Sequence, residues 1–251
     1  MSDILEELIA IRRNDALERK NSQGGRFGEA IAKDGISIIA ELKKASPSEG
    51  LIRGDFKPLE LAKSLEEAGA AALSVLCEPH RFMGSEEYLR AVRANTKLPL
   101  LYKDFISTPR QIAEAFAAGA DAVLLIAAAL EKVQLENLIA LAHEIGLDAL
   151  VETHSEKEID LAIDSGARII GVNCRNLRNF SCDVTLLEKL LAKIPRGFFK
   201  VAESGMHDAA AIARARDAGT DAFLVGTALM RSDNPGEALA KILSNLKNEK
   251  Q

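Results

Sequence analysis

Tryptophan is absent from the 251 residues, aromatic residues of all kinds make up only 4% of them, and there are just three cysteines. Cys77, Cys174 and Cys182 are odd in number and include no CxxC pair, so neither a disulfide framework nor a structural zinc site is expected. No apolar run approaches the roughly 18 residues that would suggest a membrane span. The first twenty residues, "MSDILEELIAIRRNDALERK", interleave acids with bases and resemble neither a secretory signal nor a transit peptide. The net charge of -5 is mild; it argues against a nucleic-acid partner and leaves small anionic ligands open, because those respond to local field. A cytoplasmic protein is the expectation, with no membrane and no obligate protein partner.

What the chain does have is apolar content, 47%, enough for a large core, beside a 27% charged fraction that carries neither signature of disorder. It also repeats itself. "EAGAAALSVL" from Glu67, "AAGADAVLLI" from Ala117, "EIGLDALVE" from Glu144, "DSGARIIGVN" from Asp164 and "DAGTDAFLVG" from Asp217 share one grammar. Each ends a helix-like stretch at a glycine suited to the left-handed C′ position, then runs into four to six apolar residues. Successive units are about 20 to 30 residues apart, the size of a strand plus a helix.

Completing the weaker repeats predicts eight strands: Ser37–Lys43, Ala72–Leu76, Leu98–Tyr102, Ala122–Ile126, Ala149–Glu152, Ile169–Asn173, Phe199–Glu203 and Ala222–Val225. Helical patterns lie between them, among them Pro58–Ala68, Thr108–Ala118, Lys132–Ile145 and Asp208–Ala218. The strands are continuous apolar runs, as expected when both faces are covered. Eight units of this kind favour a single α/β domain over 1–251, a (β/α)8 TIM barrel with an additional N-terminal helical segment, residues 1–36, which would cover one end. The competing open Rossmann sheet should carry GxGxxG after an early strand, and none is present.

In such barrels chemistry sits at the C-terminal strand ends, and here those ends are polar. "IIAELKK" places Glu41 and Lys43 two apart, hence on one face. The third strand runs into Lys103, the fifth into Glu152, the sixth into Asn173 and Arg175, the seventh into Glu203 and Ser204. Three cations against three carboxylates allow Lys103 to stay protonated in a partly buried place, and an ammonium beside a carboxylate is a competent acid and base. Ion pairing without chemistry is the plainer reading of any one of these residues; six of them converging argues against it. "ESGM" and "VGTALM", after strands seven and eight, supply Gly205, Gly226 and Thr227 as backbone donors for a phosphate, the recurrent cradle of this fold. Tight turning alone would also account for the glycines. Lys43 or Arg53 is the candidate for an accompanying cation.

With those positions assembled, the chain resembles the indole-3-glycerol phosphate synthase family. The stretches that carry the resemblance are "IIAELKKASPSEGLIR", "SVLCEPHRFMGS", "LPLLYKDFI", "GADAVLLIAAAL", "DALVETH", "IIGVNCRNLRNF", "VAESGM" and "FLVGTALMR", in family order from near residue 37 to near 231. The resemblance implies a lyase of tryptophan biosynthesis that needs no cofactor and no metal. Its small phosphorylated substrate, 1-(2-carboxyphenylamino)-1-deoxyribulose 5-phosphate, would be closed, decarboxylated and dehydrated to indole-3-glycerol phosphate. By position Lys103 matches the general acid, Lys43 the second lysine, Glu152 the general base and Glu41 a carboxylate that sets the proton inventory. Asn173, Arg175, Glu203 and Ser204 match substrate-site residues, with Ser46 of "ASPSEG" beside them, and Gly205, Gly226 and Thr227 match the phosphate cradle. Phe82, Phe105, Leu124, Leu177 and Phe180 would wall the aromatic ring, although core packing explains Leu124 almost as well. Cys77, Cys174 and Glu49 depart from the commoner threonine, asparagine or serine, and lysine.

Three rivals are weaker. His80, His154 and His207 fall in loops on the same face, but no HxH or HExxH spacing supports a metal hydrolase. A Schiff-base lyase needs a neutral lysine, which surrounding carboxylates oppose. A barrel that only binds a phosphorylated metabolite should have lost its lysines and glutamates, and this one keeps them.

Overall fold

The computed structural model describes residues 25–33, 35–175 and 183–248. Eight parallel strands close into a barrel: β1 (Ser37–Leu42), β2 (Ala72–Leu76), β3 (Leu100–Lys103), β4 (Ala122–Ile126), β5 (Asp148–Thr153), β6 (Ile169–Asn173), β7 (Phe199–Glu203) and β8 (Ala222–Val225). Each pairs with its sequence neighbours, and β8 closes on β1 through Ser37↔Ala222 to Ala40↔Val225. Between them lie α2 (Pro58–Glu67), α3 (Glu86–Arg93), α4 (Pro109–Ala117), α5 (Lys132–Glu144), α6 (Glu156–Asp164), α7 (Val184–Lys193), α8 (Ala209–Asp217), the short α9 (Thr227–Arg231) and α10 (Pro235–Asn248), with α1 (Arg26–Ile31) ahead of the barrel.

The repeat grammar has a direct structural cause. Gly69, Gly119, Gly146, Gly166 and Gly219 all have φ between 84° and 97°. That is the left-handed region where a Cβ is penalised, so each helix stops there and the next strand begins. At the other end of the helices, Ser85, Thr108, Ser155, Asp183 and Asp208 accept backbone N–H groups as N-caps, satisfying donors the helix cannot.

Three predicted strands change their bounds, and β1 ends at Leu42, one residue short of Lys43. β3 starts at Leu100 rather than Leu98 because Pro99 has no N–H to give the ladder; Leu100 N–H instead donates to Asp121 Oδ2 at 2.9 Å. It also extends through Lys103, which pairs with Leu76 in register. β5 takes in Asp148 and Thr153 at its two ends.

Period-two alternation divides the core. Outward residues of the strands pack on the helices in one large cluster, whereas Ile39, Ala72, Leu101, Leu124, Leu150, Ile169, Val201 and Leu224 fill the lumen with Phe27 and Ile31 of α1. Helix α1 therefore covers the N-terminal end, as the sequence suggested for a segment beyond the eightfold count. It is fixed there by Asp148, whose two oxygens accept the Gly25 and Gly28 N–H groups at 2.8 Å each. Residues 1–24 of the expected extension lie outside the described residues.

Candidate active site

Beyond several of the apolar lumen residues, the same alternation aims polar side chains upward. Ile39 is followed by Glu41, Leu101 by Lys103, Leu150 by Glu152, Ile169 by Gly171 and then Asn173, Val201 by Glu203. The barrel's own register thus converts separate sequence positions into one layer at the C-terminal mouth. Glu41, Glu152 and Glu203 are buried there with side chains 3%, 6% and 1% exposed, around Lys103 at 14%.

Lys103 Nζ donates to Glu203 Oε2 at 2.8 Å and lies 3.6 Å from Glu152 Oε2 and 3.9 Å from Glu41 Oε2. Lys43 Nζ sits 2.8 Å from Glu41 Oε1. Burial by itself pulls the Lys103 ammonium toward deprotonation, but the charges of Glu203, Glu152 and Glu41 more than reverse it, so its pKa is raised. Burial likewise opposes ionisation of Glu41, yet Lys43, Lys103 and a Ser74 hydroxyl bond at 3.4 Å hold its carboxyl below the usual range. Glu203 goes the other way. Burial, helped by the neighbouring Glu152 charge and hydrogen bond, outweighs Lys103 and pushes it up to about 8. The strand-end lysine therefore enters the mouth as an ammonium because the acidic side chains around it offset its desolvation.

Two inward positions carry glycine for want of space. A Cβ on Gly171 would lie 2.0 Å from Glu203 Oε1, and one on Gly226 would lie 2.5 Å from Glu41 Oε1. Neither distance is physically tolerable, so these glycines keep the two carboxylates in place.

The layer forms the floor of a cavity of about 580 Å³. It is lined by Glu41, Lys43, Ser46, Lys103, Glu152, Asn173, Arg175, Glu203, Ser204, Gly205, Gly226 and Thr227, and on its apolar side by Phe82, Phe105 and Leu124. Of the residues expected from sequence, Leu177 and Phe180 lie outside the described residues. Phe105 stands 55% exposed, its ring 6.3 Å from that of Phe82. Asn173 Oδ1 accepts the Arg175 N–H at 3.0 Å. Ser204 and Gly205 have successive positive φ values of 62° and 71°, which turns the chain sharply above β7, and Thr227 opens α9, whose first-turn N–H groups lack intrahelical carbonyls.

Arg53 does not furnish a phosphate cation. Its guanidinium donates to the carbonyls of Met230, Ser232 and Asp233 at 3.1, 2.8 and 3.3 Å, strapping the first loop to the end of α9. The sequence reading missed Arg231, which lines the cavity and pairs with Glu49 of that loop, and Arg81, Asp104 and Met206 around the rim. Arg231 was legible in principle, being four residues, one helical turn, past Thr227. His154 was noted only as a loop histidine; it lies behind Glu152, at 3.4 Å. Cys77 is free and buried, its thiol pKa driven up mainly by burial, while Cys174 is disulfide-bonded, against the expectation from cysteine count; its partner lies outside the described residues. Among the described residues no group of three or more His, Cys, Asp or Glu side chains has metal-binding geometry, and no helix is long and apolar enough to cross a membrane.

Comparison with known proteins identifies the family and the fold. Residues 5–242 match the family model described as indole-3-glycerol phosphate synthase. A protein of that name from Koribacter versatilis is 49% identical over 259 residues, covering 97% of this chain and 100% of its own. Another from Campylobacter curvus is 43% identical over 257 residues, covering 95% and 98%. Among solved structures, a 3-hexulose-6-phosphate synthase superposes with a TM-score of 0.67 at 15% identity, over 83% of this chain and 98% of that one, a likeness of fold alone. The chain belongs to the indole-3-glycerol phosphate synthase family.

Proposed function

We propose that this mouth performs the family's ring closure with Lys103 as general acid and Glu152 as general base, acting on 1-(2-carboxyphenylamino)-1-deoxyribulose 5-phosphate. The observation that carries the reading is the Lys103 ammonium held 2.8 to 3.9 Å from three buried glutamate side chains on three different strands.

Attack of the anthranilate ring carbon on the ribulose ketone builds negative charge on the carbonyl oxygen. A fixed ammonium stabilises that charge and delivers a proton. Loss of carbon dioxide then restores aromaticity. Dehydration expels the new hydroxyl as water, which needs a second acidic proton, and removes a proton from the ring system, which needs a base. Lys43, 2.8 Å from Glu41, is suited to the second donation, and Glu152 to the removal. Glu203 and Glu41 set the charge around both lysines. The cavity's two characters match the substrate's two ends: Phe82, Phe105 and Leu124 would face the aromatic ring, Gly205, Gly226 and Thr227 the phosphate. Asn173, Arg175, Ser204 and Ser46 line the space between. No step in this scheme requires a metal or a cofactor, and a cytoplasmic setting fits a soluble phosphorylated substrate.

Lys103→Met removes the ammonium at nearly constant volume. It is expected to abolish product fluorescence, a loss of about 100-fold or more, while binding of the substrate persists. Turnover near the parent rate would overturn the assignment of the acid. Running the assay with chelator separates this chemistry from metal-assisted hydrolysis, and borohydride with substrate separates it from a Schiff-base lyase, which would leave a covalent lysine adduct.

A further inference from the structure

A partly buried imidazole lies directly behind Glu152 and has no part in the scheme above. His154 follows β5 by one residue, with its side chain 16% exposed. Its Nε2 is 3.4 Å from Glu152 Oε1, and its Nδ1 is 3.3 Å from Glu158 Oε2. Glu158 is itself immobilised in the first turn of α6. Oε2 accepts the His154 backbone N–H at 2.8 Å, and Oε1 accepts the Ser155 hydroxyl, also at 2.8 Å. Ser155 in turn caps α6 by accepting the Glu158 N–H at 3.3 Å. A helix cap thus anchors a carboxylate, the carboxylate anchors an imidazole, and the imidazole faces the proposed base.

Glu152 faces a basic group on each oxygen at ion-pair distance: Oε2 lies 3.6 Å from Lys103 Nζ and Oε1 lies 3.4 Å from His154 Nε2. Closing the helix N-terminus would need only Nδ1 of the imidazole. Nε2, by contrast, is buried, makes no hydrogen bond, and is directed at Glu152 at ion-pair distance. Contacts of this kind are commonly long before substrate arrives and tighten in the complex. The charged groups that act on the ring are Glu152 at the end of β5, Glu158 on α6 and Glu203 on β7. Burial opposes its protonation, but the Glu158 hydrogen bond and these three acids prevail, and its pKa is raised from the ordinary histidine value.

We propose that His154, anchored by Glu158, is a positioning residue for the reaction: it fixes the Oε1 side of Glu152 so that Oε2 is presented to the substrate. This rests on the reading of Glu152 as general base. A carboxylate on a side chain with three free torsions is held to one orientation only if both oxygens are engaged, and a misplacement of about 1 Å can cost as much as 100-fold in rate.

The test is a pair of substitutions read by steady-state kinetics. His154→Asn keeps an amide on the Glu158 side and cannot reach Glu152. It is expected to lower kcat about tenfold or more, with KM changed less than about twofold, because Glu152 is displaced while the substrate's contacts remain. Built into Glu152→Asp, whose shortened carboxylate no longer reaches the imidazole, the same change should cost little further. An unchanged kcat for His154→Asn, or an equal loss in both backgrounds, would overturn the proposal, since either would mean that His154 does not act through Glu152. Should His154→Asn fail to fold in a thermal melt, His154→Gln, which extends an amide toward the Nε2 position, replaces it in the same cycle. Glu152→Gln, measured alone, separates the two readings. Full activity of that variant removes the base assignment itself, whereas an inactive Glu152→Gln with an indifferent His154→Asn removes only the positioning role.

Discussion

Glu203 is the side chain through which the mouth is expected to respond to pH. Its folded pKa is pushed up to about 8, chiefly by burial, with Lys103 opposing and Glu152 adding to the shift. Below that pH it carries a proton beside Glu152; above it, a full charge strengthens its grip on the Lys103 ammonium and makes that proton harder to give. We therefore expect kcat/KM to fall as pH rises through about 8, and the fall to vanish in Glu203→Gln, measured as pH–rate profiles of both proteins. A profile unaltered by the substitution would assign the limb to another group. Ser204, next in the chain, has φ of 62°, a conformation unusual for a non-glycine residue. Nothing in "VAESGM" announces that strain. Only the turn of the chain above β7 does.

At the scale of elements, the strands and helices were legible because each carries its own boundary chemistry. A left-handed glycine stops a helix, an apolar run covered on both faces makes a strand, and a serine, threonine or aspartate starts the next helix. Where the sequence reading slipped, Pro99 had no N–H to give at the start of β3, whereas at Asp148 the deciding bonds came from elsewhere in the chain. Asp148 reads as an ordinary polar residue before "ALV", yet it is buried and holds α1 against the floor of the barrel through two backbone N–H groups. Burial raises its pKa, and those hydrogen bonds offset the rise in part. Asp148→Ala leaves both donors unpaired and should destabilise by about 3 kcal/mol. The denaturation midpoint would fall accordingly, with KM unaffected because the site is at the opposite end. A midpoint within error of the parent would show that α1 is held by Phe27 and Ile31 alone.

For the whole molecule, the placement of charge at one rim links folding to pH. Glu41 is buried and its carboxyl is held below its ordinary 4.5 by Lys43 and Lys103 against the opposing effect of burial. A depressed carboxylate contributes stability that is present above the unfolded pKa and lost as pH falls through the folded one. The melting temperature is thus expected to drop as pH is taken below 4.5, and to drop less steeply over that window in Glu41→Gln, which starts from a lower value at neutral pH. Parallel curves for the two proteins would mean that Glu41 is not a significant part of acid unfolding.

The residues by themselves determined the repeat, the eight strands, the chemical character of the strand ends and the glycine-containing turns after β7 and β8, because those depend on local propensity and on periodicity along the chain. Tertiary structure alone decided which side chains meet. It set the 2.8 Å contact between Lys103 and Glu203, a hundred residues apart. It also tied Arg53 to the carbonyls of Met230, Ser232 and Asp233 at the end of α9, and it brought His154 behind Glu152. The physical reason is closure: joining β8 to β1 fixes every strand's register against its neighbours, and only then do separate positions acquire one common direction.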